Sequence, residues 1–153
     1  MSLINLIFSF VIVLLSIILL YQDFKTRLIN LWLIILFSLC VVLNFLLQHS
    51  YLPWLYNVLF SIVYFAFSYL IVWIYLRQKK ISLNNAIGLA DIILLFVVAS
   101  VTDYELQIYF FTVFFITCCL IYLVLKKHKT IPMAGYLALF YSIWLIISQI
   151  ELT

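Results

Sequence analysis

The sequence predicts an all-α integral membrane protein with six transmembrane helices, and three observations predict it. Hydrophobic residues make up 69% of the 153-residue chain and charged residues only 8%, against about 25% charged in soluble domains. Mean hydropathy is +1.33. The charges fall between apolar windows of about 20 residues, the length that crosses a bilayer as a helix. All Lys and Arg residues, 8 in number, sit in alternate connections.

The windows are residues 2–21, 28–47, 52–76, about 83–101, 106–125 and 131–150. Their connections are too short for a soluble domain, linker or low-complexity tail, so residues 1–153 are read as one membrane domain without internal repeats. Lys25 and Arg27 follow the first span, Arg77, Lys79 and Lys80 the third, and Lys126, Lys127 and Lys129 the fifth. The positive-inside rule puts those connections in the cytoplasm and both termini outside, in a multi-pass protein of the inner (plasma) membrane. The net charge of +3 reflects this topology. It calls for no nucleic-acid partner, only the lipid bilayer.

The first window lacks a basic n-region and a small-residue cleavage site, and is read as a retained helix. Ser2, Ser9, Ser16 and Asp23 follow one another at steps of seven, so a helix reaching Asp23 aligns them on one face. Small polar residues there make a packing seam, but a seam does not need a carboxylate. An Asp at the centre of a membrane helix is disfavoured by ~2.5 to 3.5 kcal/mol, so something must offset Asp23.

The second window begins near Asn30 and is otherwise featureless; His49, beyond it, is read as a surface residue. The third carries Asn57, Ser61, Tyr64 and Ser68 at helical spacing, a second seam, with Trp54 and Trp73 placed for the aromatic belts. In the fourth, Asn84, Gly88 and Asp91 share a face if the helix starts near Leu83. That start would set Asp91 about 12 Å in from the cytoplasmic end. Gly88 and Ala90 leave little bulk beside Asp91, which lets another backbone approach its carboxyl.

Asp103 and Glu105 read as a solvated outer turn, the fifth window as uniform apart from Thr112 and Thr117, and His128 as a headgroup-facing residue among lysines. The sixth opens with Thr130-Ile131-Pro132-Met133-Ala134-Gly135, where a Pro suits a helix start. Cys40, Cys118 and Cys119 lie inside predicted spans with no Cys-x-x-Cys spacing, so they are read as small packing residues, not as disulfide partners or metal ligands.

The segment Asp23-Phe24-Lys25-Thr26-Arg27-Leu28-Ile29-Asn30 resembles the first aspartate motif of the type IV prepilin peptidases. Gly88-Leu89-Ala90-Asp91 is similar to their Gly-x-Gly-Asp motif, and Ile131 to Ala138 to the Pro-Phe-x-Pro-x-Leu-Ala segment that opens their last helix. The departures are Ala90 for the second motif glycine, Ile93 for a Lys usual two residues after the second aspartate, and the missing Pro of the first motif. The resemblance implies a GxGD-type membrane aspartyl endopeptidase with Asp23 and Asp91 catalytic, Gly88 and Ala90 supporting, and no metal or organic cofactor. Its implied substrate is a pilin-like precursor with a short basic leader before a hydrophobic helix, cut at the cytoplasmic face. Larger members carry a cysteine-rich zinc segment between the first two helices, tied to methylation of the processed pilin. The short connection here argues against methyltransferase activity.

Two carboxyls are the chemical minimum for this reaction, because peptide hydrolysis needs a base to activate water and an acid for the carbonyl and leaving nitrogen. The pair titrates jointly, so neither Asp is assigned acid or base. Two other readings stay open: a general intramembrane aspartyl protease, and a proton or cation carrier subunit using the same carboxylates.

Overall fold

The computed structural model describes residues 3–26, 29–79, 88–125 and 133–151. The described residues form helices α1 (Leu3–Thr26), α2 (Leu31–Gln48), α3 (Tyr51–Lys79), α4 (Leu89–Val101), α5 (Tyr104–Leu125) and α6 (Met133–Glu151). No strand occurs among them. Ser2, Arg27, Lys80, Leu83, Asn84, Lys126, Lys127, His128, Lys129, Ile131 and Pro132 lie outside the described residues.

Apolar stretches in α1, α2, α3 and α5 run to 23, 18, 20 and 18 residues, long enough to cross a membrane. The other two helices are shorter than the sequence led us to expect. α4 has 13 residues, a length of about 20 Å at about 1.5 Å per residue, against a hydrocarbon core of about 30 Å. The apolar run of α6 is Met133–Ser148. For α4 the reason is local: Gly88 is extended (φ −76°, ψ 149°) and caps the helix, so Asp91 falls in the first turn and not two turns in.

α1 packs chiefly on α6 and α2, while α4 is enclosed by α2, α3 and α6. Ser9, Ser16 and Asp23 are all buried on the inner face of α1 together with Ile12 and Leu19, as the heptad spacing requires. Phe37 and Val41 of α2, Leu94 and Val98 of α4, and Leu137 and Ala138 of α6 fill the centre. Edge-on contacts of Phe110 with Phe140 and Trp144 join α5 to α6. The outer faces carry large apolar side chains, among them Phe10, Trp32, Val63 and Tyr109, a surface suited to hydrocarbon and not to water.

One feature at the bundle end opposite Asp23 was not visible in the sequence. Gln107 of α5 is fully buried, and its Nε2 donates to Ala99 O (2.6 Å), Ser61 Oγ (3.0 Å) and Thr102 O (3.2 Å). Asn57 Oδ1 accepts from the Tyr104 amide at 3.1 Å. The α3 seam of Asn57 and Ser61 is therefore a polar joint with the end of α4 and the start of α5. Thr112 and Thr117 bond only within their own helix among the described contacts. The cysteines are free, with Cys118 buried, Cys40 partly so and Cys119 exposed, so the packing reading fails for Cys119, which faces outward.

Candidate active site

Asp23 lies in the last turn of α1, where the helix meets the first turn of α6. Its side chain is 7% exposed, and Oδ2 accepts a hydrogen bond from the Gly135 amide at 2.9 Å. That amide belongs to the first turn of α6, whose N–H groups have no partner within their helix and sit at the positive end of its dipole. A buried carboxylate is thus met by a donor that would otherwise be orphaned. Phe24 adds an edge-on contact to the Tyr136 ring at 5.5 Å.

The approach is close because residue 135 has no side chain. A Cβ there would stand 2.7 Å from Leu20 Cα, 3.2 Å from Asp23 Cβ and 3.2 Å from Leu20 Cδ1. The first of these neighbours is backbone and cannot rotate away.

Asp91 reaches the same place from α4. It is half-buried, and its Oδ2 accepts from the Gly88 amide at 3.2 Å, so an N3 carboxylate satisfies the N-cap amide of α4. The Ala134 amide also interacts with its carboxylate, and the charge of Asp23 acts on it. The Gly135 amide of α6 donates to Asp23, and the preceding Ala134 amide is near enough to Asp91 to act on its charge. Residues 68 positions apart in the chain, Asp23 and Asp91, are brought to one helix end.

Gly88 is exposed at the helix start, and Ala90 is partly buried against the core. The backbone at Gly88 is ordinary in φ, and among the described residues a Cβ there would meet the Asp91 carboxylate, Oδ2 at 3.1 Å. Ala90 is helical, a conformation in which Ala needs no glycine-like freedom. The connection after α1 is tied back beside Asp23: the Asn30 amide donates to Gln22 Oε1 at 3.3 Å, and Asn30 Oδ1 caps α2 by accepting from the Trp32 amide at 3.0 Å. Among the described residues no group of three or more His, Cys, Asp or Glu side chains could hold a metal ion.

Gln22, Ala134 and Gly135 were not singled out from the sequence. Ala134 and Gly135 lie inside the Ile131 to Ala138 segment that carries the resemblance, but that segment does not say what the turn would face.

Two acidic side chains near the start of one helix, in a bundle with apolar helices of membrane length, define a class of helical membrane protein with buried acidic groups. The chain belongs to the type IV leader peptidase family, whose model matches residues 10–126. That match includes both aspartates and ends before α6. No curated protein and no solved structure matches the chain.

Proposed function

We propose that the protein is a membrane aspartyl endopeptidase that removes the short basic leader from type IV pilin-like precursors at the cytoplasmic membrane face, with Asp23 and Asp91 as its catalytic pair. The observation that carries this reading is the buried Asp23 carboxyl held by the Gly135 amide at the start of α6, with Asp91 in the first turn of α4 close enough to feel its charge. A packing role would need neither carboxyl, and a cation carrier would not set two carboxylates against donor N–H groups.

One carboxyl, ionised, takes a proton from water as the water oxygen attacks the scissile carbonyl carbon. The other, protonated, gives its proton to the carbonyl oxygen. Collapse of the tetrahedral intermediate breaks the C–N bond. The leaving nitrogen takes one proton from the pair, and a hydroxyl proton of the intermediate returns, so the pair ends as it began with one proton. Gly88 and Ala90 support the site by keeping side-chain bulk away from Asp91, which leaves room for an extended substrate backbone. The basic residues adjoining this end, Lys25 among them, put it in the cytoplasm, where the leader of an inserted precursor would lie.

The test is co-expression with pilin-like precursors from the same genome, read by mass shift. Cleavage between leader and hydrophobic helix is expected, and Asp23→Asn and Asp91→Asn should each abolish it while the protein remains inserted. Full activity in either variant would refute the pair. A cut deep within the hydrophobic helix would instead favour a general intramembrane protease, and ion flux in liposomes without proteolysis a carrier.

A further inference from the structure

The Asp23 carboxyl of the proposed pair does not hold itself in place; the first turn of α6 donates a hydrogen bond to it. That turn lies outside the segment matched by the family model, which ends at residue 126. Position 135 combines two properties that no residue but glycine supplies here. Its amide donates to Asp23 at 2.9 Å, and any Cβ would collide with the α1 backbone, 2.7 Å from Leu20 Cα. The two are coupled, because the N–H reaches Asp23 only while α6 lies against Leu20.

We propose that Gly135 is the positioning residue of the aspartate pair: its missing side chain lets α6 close onto α1, and its amide fixes Asp23 in register with Asp91. The inference rests on the aspartyl-peptidase reading. Gly135 acts through Asp23 and touches no substrate. A larger residue moves the start of α6 off α1, so the Gly135 and Ala134 amides leave their carboxylates together. Misplacement of a reacting group by about 1 Å is enough to lower turnover about a hundredfold.

The composition offers a direct readout, for the chain has only two glycines, Gly88 and Gly135, and each donates its amide to one of the two aspartates. Protein labelled with 15N-glycine and held in detergent micelles should give two amide cross-peaks, assigned by the loss of one in Gly88→Ala. Asp23→Ala should displace the Gly135 cross-peak, with the Gly88 cross-peak moving less. Asp91→Ala should do the reverse. In activity, Gly135→Ala should cut precursor cleavage by about a hundredfold, acting on kcat more than on KM, with the Gly88 cross-peak retained.

A Gly135 cross-peak unmoved by Asp23→Ala would overturn the inference, as would normal cleavage by Gly135→Ala. The spectrum decides if Gly135→Ala does not fold. Failure of the peptidase reading shows differently, as full cleavage by Asp23→Asn whatever the spectrum.

Discussion

Asn30 illustrates how one residue at the edge of the site joins local structure to its neighbours, through its side chain on one side and its backbone amide on the other. It caps α2 through Oδ1 and ties the α1–α2 connection to Gln22, next to Asp23. Removing such a cap costs about 1 kcal/mol, so Asn30→Ala should lower the melting temperature of the detergent-solubilised protein, whereas Asn30→Asp keeps an acceptor and should stay near wild type. The two glycines make a contrast on the same scale. At Gly88 a Cβ meets the movable end of a carboxylate at 3.1 Å, and at Gly135 it meets backbone at 2.7 Å. Gly88→Ala should therefore reduce cleavage by no more than about tenfold, equivalent to about 1.4 kcal/mol of barrier, well short of the Gly135→Ala effect. Parallel cleavage assays on the two variants check the order, and an equal loss would mean that backbone contact at position 135 does not set the severity.

Helices α4 and α5 show what periodicity can and cannot reveal in a membrane chain. Apolar runs located every helix, since length alone identifies a span. The start of α4 was misplaced by six residues, from about Leu83 to Leu89, because apolar residues on all sides leave no polar face to mark a boundary. Asn84, Asn85 and Gly88 break the run before Asp91, but a glycine next to apolar residues reads equally well as a packing position. Gln107 escaped for a related reason: near a predicted helix start it passes for an interfacial residue, and its partners Ser61 and Ala99 come from other helices. Its structural weight is testable apart from the site. Gln107→Leu leaves the Ala99 and Thr102 carbonyls without this donor, at a cost of about 1 to 3 kcal/mol. Thermal unfolding in detergent should register that loss, while cleavage per folded molecule should be unchanged, since Ala99 stands about 12 Å along α4 from Asp91. A stable Gln107→Leu protein would show that the joint does not hold the bundle.

At the scale of the molecule, both aspartates were legible because a carboxylate in an apolar run has to be accounted for, whereas what accounts for them was not. The Asp23–Gly135 hydrogen bond spans 112 positions, and nothing local to either residue announces the partner. The proposed orientation in the bilayer rests on the charge pattern. The end that carries Asp23 and the α6 start is flanked by Lys25, and α3 ends with Arg77 stacked on Trp73 at 5.1 Å. The opposite end carries Asp103 and Glu105, both exposed. The bias of Lys and Arg towards the cytoplasm is the ground for proposing that the first end lies inside. In a background with Cys40, Cys118 and Cys119 replaced by Ala, Asp103→Cys should react with a membrane-impermeant maleimide on intact cells, and Lys25→Cys only after permeabilisation. The reverse pattern would put the carboxyl pair on the outer face, where a precursor held with its leader in the cytoplasm could not bring the scissile bond to it. The topology and the peptidase reading would then fall together, because a leader that stays inside requires catalytic groups on the same side.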